Sequence, residues 1–387
     1  MSEAPPHWHD VIVVGAGVFG AWTAWHLREA GSDVLLVDAH GAAHARASSG
    51  GESRMTRGSY GADEIYTRMA HESLERWRWL SKRSGLPILH EIGVLFFFGK
   101  REPYVDQTLA VHEKLKLPTY TLNRTALQQL YPQAVWDDVE IGIYEPGFGA
   151  LMARRAVQTL VRELENRLRV GAVVPPVAEG DALHELTLTT GEVLRARKIV
   201  FACGAWLPKL FPAELGGRIF PTRQEVFFFA PPAGDARFLP DTLPGWADFN
   251  AGDIYYGFPD LEARGFKIAH DQHGPAIDPD SGDRSASAEG LADVRAYLAR
   301  RFPALADRPL NESRVCQYEN SANGDLLIDR HPTLRNVWLV GAGSGHGFKH
   351  GPEVGRMAAE LVLSDSAAKE PRFSLATKAQ QQKRSVH

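Results

Sequence analysis

Cysteine is scarce in this chain: 387 residues contain only Cys203 and Cys316. Two thiols cannot make a disulfide framework, and these lie too far apart in sequence to read as a metal-ligand pair. A reducing, cytoplasm-like compartment and no metal are the expectation. Charge of one sign is also missing. Forty-three basic residues against 47 acidic ones give a net charge of −4, with no basic excess to hold nucleic-acid phosphates or an anionic membrane. No apolar run approaches the ~20 residues that span a bilayer. The first ten residues show no charged-then-apolar export pattern, and the ending Lys383-Arg384-Ser385-Val386-His387 is not the peroxisomal Ser-Lys-Leu. No repeat or low-complexity tract breaks the chain. What remains is an ordinary globular composition, 44% hydrophobic and 23% charged, long enough for two lobes.

Glycine, by contrast, is placed with purpose. Residues 10–14 form a short β-branched run that leads directly into Gly15-Ala16-Gly17-Val18-Phe19-Gly20. A helical stretch follows to Ala30 and stops at Gly31; the next apolar run, 34–37, ends on Asp38. Strand, glycine turn, helix, strand, acid is the order of a dinucleotide-binding βαβ unit. The first glycine permits the tight turn, the second admits a pyrophosphate, and the third lets helix pack on strand. The helix N-terminus offers N–H donors and partial positive charge to phosphates. Asp38, 18 residues after Gly20, can accept hydrogen bonds from both ribose hydroxyls and repels the 2′-phosphate of NADP.

Further along, helical spacing covers 63–82, 152–168 and 291–302, while strand signatures cover 92–98, 198–202, 220–229, 254–258 and 266–269. A last strand at 337–340 enters the glycine turn 341–347 before a helix at 352–363, repeating the opening logic. The fold class expected is α/β, with an α+β second lobe interleaved with the first.

Five segments together carry a resemblance. They are the glycine fingerprint, Gly51-Glu52-Ser53-Arg54-Met55-Thr56-Arg57, Tyr255-Tyr256-Gly257-Phe258-Pro259, Arg314-Val315-Cys316-Gln317-Tyr318, and Gly345-His346-Gly347-Phe348-Lys349. Their order and spacing resemble, nearly end to end, the monomeric sarcosine oxidase group of the D-amino-acid-oxidase superfamily, which includes N-methyltryptophan and fructosyl amino acid oxidases. The resemblance implies an FAD-binding Rossmann-like domain at 1–82, 147–218 and 315–387, and a sheet-rich substrate domain at 83–146 and 219–314. It also implies a monomer.

The resemblance implies oxidation of the C–N bond of a secondary-amine amino acid, with hydride transfer to flavin N5. Reoxidation by oxygen then gives hydrogen peroxide and an imine. It assigns Cys316 a thioether to the flavin, where the attacking thiolate would be helped by nearby positive charge such as Arg314. It assigns Arg54 to the flavin environment, and Arg57 and Lys349 to the substrate carboxylate, which suits a guanidinium fork. The spacing of the two arginines puts both on one side of a short turn or helix start. Tyr256 and Tyr318 become walls of the amine site, and Lys267 a buried cation that assists oxygen reduction. The remaining cofactor contacts implied are Gly15, Gly17, Val18, Phe19, Gly20, Asp38, Ala39, His44, Ser48, Ser49, Gly51, Met55, Val177, Gly204, Trp206, Gly343, Gly345, His346, Gly347 and Phe348, with Lys349 counted here too. Cys203 is read as a structural thiol; His270 and His346 stay open between structural and functional roles.

Three departures bear on substrate. His270-Asp271 stands where sarcosine oxidases carry Tyr-His, Gly50 replaces a histidine beside the flavin, and Glu319-Asn320 follows Tyr318 where a Thr-Pro-Asp stretch is common. These leave flavin chemistry in place and point away from sarcosine toward a larger or differently charged amine. Rival readings are an FAD-dependent dehydrogenase using a quinone or protein carrier, an NAD-dependent reductase, and a flavin-binding protein without turnover.

Overall fold

A computed structural model describes residues 7–250, 254–272 and 274–380. Residues 1–6 and 383–387, read above for targeting signals, lie outside the described residues. The molecule is mixed α/β, organised on two large sheets.

The β-branched run becomes the strand Trp8–Val14, paired in parallel with Val34–Asp38 on one side and Val193–Phe201 on the other. Val337–Gly341 extends the parallel set, Leu327–Arg330 closes one edge antiparallel, and Leu168–Val170 closes the other, while Glu185–Thr187 branches from Val193–Phe201. The four parallel strands Trp8–Val14, Val34–Asp38, Val193–Phe201 and Val337–Gly341 carry buried apolar runs, which is why they were legible in the sequence, whereas the edge strands were not. The helix Val18–Glu29 covers one face and packs along Gly351–Leu363. Trp22, Trp25 and Trp77 fill the space between them and Glu64–Ser84. Trp77 is fully buried, stacks on Phe348 at 5.6 Å and donates from Nε1 to the Lys349 carbonyl at 2.9 Å. Truncating it would cost about 3–5 kcal/mol and release the backbone at Lys349.

The second sheet runs Leu310–Ser321, Ile219–Phe229, Phe266–His270, Tyr255–Phe258, Gly245–Asp248, Val94–Phe98, Ile141–Glu145, Tyr120–Asn123. A small third sheet joins Ser53–Thr56, Gly149–Met152 and Leu89–His90.

Three expectations change. The helix expected at 152–168 is only Ala153–Arg162, because Glu165 and Asn166 turn left-handed (φ 51° and 64°) and free the chain for the edge strand Leu168–Val170. Arg54 lies on a strand, not a helix start, and Arg57 follows that strand's end. The domain boundary expected at 315 falls inside Leu310–Ser321, which pairs with Ile219–Phe229 along its whole length. That strand is the edge of the second sheet and brings Cys316 and Tyr318 to the wall of the cavity described below.

Candidate active site

A cavity of about 410 Å³ opens where the parallel strands end, the place where open α/β sheets receive ligands. Gly15 turns at φ +106°, and a Cβ there would stand 2.3 Å from the Ala202 carbonyl oxygen. Only glycine lets the two strand ends approach this closely. Val18 donates its N–H to Ser49 Oγ at 3.0 Å at the start of its helix. Asp38 accepts N–H groups from Ala16 at 2.7 Å, His40 at 2.8 Å and Gly41 at 2.9 Å. These three donors fix the carboxylate at the cavity wall.

Of the expected cofactor residues, Gly15, Gly17, Val18, Phe19, Asp38, Ala39, His44, Ser48, Ser49, Arg54, Gly204, Trp206, Cys316, Gly343, Gly345, Gly347 and Phe348 line this cavity. Gly20 sits within the helix off the wall, and Gly51 lies against the Arg54 guanidinium. Met55, His346 and Lys349 line a neighbouring cavity instead. Val177 is a correction: it is 87% exposed and off the wall. Because Asp38 pairs with Val170, the residues immediately after 170 lie beside the acid, and Gly171, Ala172 and Val173 supply the wall.

The neighbouring cavity, about 90 Å³, shares Arg54, Tyr318, Ser344, Gly345 and Phe348 with the first. At this seam Arg54 Nη2 donates to the Ser48 carbonyl at 2.7 Å and stands 3.5 Å from Cys316 Sγ. Cys203 lies away from this contact: its thiol points to the Val14 carbonyl at 3.3 Å, and burial, then Asp38 and Glu319, hold it well above the usual thiol range. Lys267 reaches neither wall. It is buried beside the seam, donating from Nζ to the Ser53 carbonyl at 2.8 Å and Ser53 Oγ at 3.2 Å. Burial, and next Arg54, bring its pKa down to about 7.

In the smaller cavity Arg57, Tyr256, Asp271, Tyr318 and Lys349 converge. Tyr60, which sequence reasoning missed, organises the two cations. Its hydroxyl accepts from Lys349 Nζ at 2.8 Å and stands 2.8 Å from His350 Nε2 and 3.2 Å from His346 Nδ1, while the Arg57 guanidinium lies 4.0 Å from its ring centre. Lys349 Nζ also donates to the His346 carbonyl at 2.8 Å. Burial, then the neighbouring Arg57, hold Lys349 well below the usual lysine range, with Glu145 and Asp271 working the other way. An arriving carboxylate would supply the counter-charge that favours the ammonium. His346 is thus part of the site, whereas His270 lies on the opposite face of its strand, against Tyr255 and Asp293.

Glu319, a departure from the resembled pattern, lines the larger cavity 6% exposed, with Oε1 lacking a hydrogen-bond partner among the described residues. Burial pushes its carboxyl up to about 8. Gly50 admits no side chain, since a Cβ would stand 1.9 Å from the His44 carbonyl oxygen. The glycine cradle, the fixed Asp38, the helix terminus at Val18 and the orphaned Glu319 oxygen all fit a bound dinucleotide such as FAD. The adjoining cavity fits a small carboxylate with an apolar body.

Comparison with known proteins agrees with this geometry. Residues 10–361 match the family described as DAO, FAD dependent oxidoreductase. The chain is 30% identical over 362 residues to the monomeric sarcosine oxidase of Bacillus sp. (strain B-0618), covering 92% of each chain. It is 29% identical over 369 residues to the N-methyl-L-tryptophan oxidase of Citrobacter koseri, covering 93% of this chain and 96% of that one. The L-proline dehydrogenase of P. horikoshii has the same fold, with a TM-score of 0.82 at 20% identity over 96% of this chain and 97% of that one.

Proposed function

The chain belongs to the DAO family of FAD-dependent oxidoreductases, and from that premise we propose that it oxidises the C–N bond of a small secondary-amine amino acid, using oxygen as acceptor. N-methyl, cyclic and glycated amino acids are the candidate substrates. The observation that carries this reading is the pairing of Arg57 and Lys349 in an aromatic cavity that meets the larger one at Arg54, Tyr318 and Phe348.

Bound FAD supplies the hydride acceptor, its N5, and the route for electrons to oxygen. The protein orients the substrate. Arg57 and Lys349 take the carboxylate, fixing the carbon next to nitrogen at the seam. Tyr256, Tyr318 and Phe348 exclude water and hold the neutral amine against aromatic surface. Cys316 would hold the flavin through a thioether, its Sγ 3.5 Å from the Arg54 guanidinium at the seam. Lys267 places a cation near the point where charge develops on oxygen. The parallel sheet serves the cofactor and the second sheet the amine, and the reading makes the protein a cytoplasmic monomer.

The test is a panel of N-methyl, cyclic and glycated amino acids mixed with the flavin-loaded protein. At least one should bleach the flavin without air and yield peroxide, in step with amine consumed, once air is admitted. Bleaching without peroxide or oxygen uptake would move the chain to the dehydrogenases; no bleaching by any member would overturn the reading.

A further inference from the structure

Side chains alternate across a strand, and along Phe266–His270 that period decides what reaches the substrate cavity. Phe266 and Ile268 enter the apolar cluster around Trp246. His270 continues their face, its ring 4.0 Å from that of Tyr255 and its Nδ1 2.8 Å from Asp293 on the helix Ala288–Arg301. Lys267 and Ala269 take the opposite face, with Ala269 in register with Tyr256. Asp271 extends the ladder by one residue, donating its N–H to the Ile254 carbonyl at 2.7 Å. Parity therefore turns it with Lys267 and Ala269, and it lines the smaller cavity beside Tyr256.

Among the described residues it is the only acidic side chain on that wall, shared with Arg57 and Lys349. Its charge acts on both cations. For each, burial is the largest influence and lowers the pKa, while Glu145, behind the wall, and after it Asp271, on the wall, are among the groups that raise it. A site made only to grip a carboxylate and a neutral amine needs cations and aromatic walls. A carboxylate beside those cations opposes the substrate's own carboxylate unless the substrate brings positive charge to meet it.

We propose that Asp271 determines specificity by charge, selecting amino acids whose side chain carries a second, cationic group and disfavouring those with a second carboxylate. The inference rests on the reading under Proposed function and names its substrate class.

The test uses three probes of similar reach, Nα-methyl-lysine, Nα-methylnorleucine and N-methylglutamate, on the flavin-loaded enzyme. In the unaltered enzyme kcat/KM should fall in that order, with lysine over norleucine by about tenfold or more, carried mainly by KM. Asp271→Asn should cut the lysine-to-norleucine ratio by about tenfold and raise the glutamate-to-norleucine ratio; Asp271→Glu should keep the original order. Equal or inverted preference in the unaltered enzyme would overturn the proposal, and needs no variant to fold. So would an order that survives Asp271→Asn. If no amine of any charge bleaches the flavin, the functional reading fails instead, so the two failures are distinguishable.

Discussion

The larger cavity draws most of its wall from short stretches of local sequence, 17–19, 38–40, 47–49, 171–173, 202–206 and 343–345, in which glycines recur. The smaller one is assembled from Arg57, Phe96, Tyr256, Asp271, Tyr318 and Lys349, side chains from separate segments of the chain. A backbone cradle depends on a few residues at fixed spacing, so it holds the same cofactor while much of the sequence drifts. A side-chain cavity depends on long-range pairing and on individual identities, so one substitution can redirect its substrate without disturbing the fold. The position held by Asp271 is such a case.

If the smaller cavity works by gripping a carboxylate, Arg57→Ala should break it most severely. The loss expected is about 10²–10³-fold in kcat/KM, on the order of 3–4 kcal/mol, with flavin content unchanged. Steady-state kinetics on the best substrate checks this, and loss of flavin along with activity would mean the two cavities are not independent.

Lys267 lies between the two and sharpens the comparison, because its effect should fall on oxygen and not on the amine. Lys267→Met should slow reoxidation of the reduced enzyme by about 10²-fold while leaving anaerobic reduction far less affected. With a pKa of about 7, the ammonium is present below that pH and lost above it. Reoxidation by the unaltered enzyme should therefore slow as pH rises through about 7, and the variant's profile should be flat. Stopped-flow mixing with oxygenated buffer across that range is the measurement.

The smallest effect expected is that of Tyr60→Phe. It removes the hydroxyl that meets Lys349 while keeping the ring beneath Arg57. Losing the hydrogen bond to Lys349 is worth about 1 kcal/mol, or roughly a fivefold rise in KM with little change in kcat, readable by competitive binding of a simple carboxylate.

The difference between the cavities also explains what could be read without coordinates. The βαβ opening was legible because the run 10–14, the glycine fingerprint and Asp38 are local features. Val177 was misplaced because the wall beside Asp38 follows from the pairing of Asp38 with Val170, a register that no local pattern announces. The 12-residue strand Leu310–Ser321 was not assigned at all, since Asn311, Glu312 and Arg314 dilute its pattern. Tyr60 escaped notice because its partners Lys349 and His350 lie nearly 300 positions away. Asp271 was visible as a departure from the resembled family, but only strand parity and the cavity wall show which way it faces.

The account stands on the flavin's reactive ring lying at the seam, where Arg54 and Cys316 meet. Acid-precipitating the purified holoprotein and sequencing the flavin-bearing peptide by mass analysis tests this most directly. The account predicts that the flavin stays with the pellet and maps to Cys316; flavin attached to any other residue, or released intact to the supernatant, would contradict it.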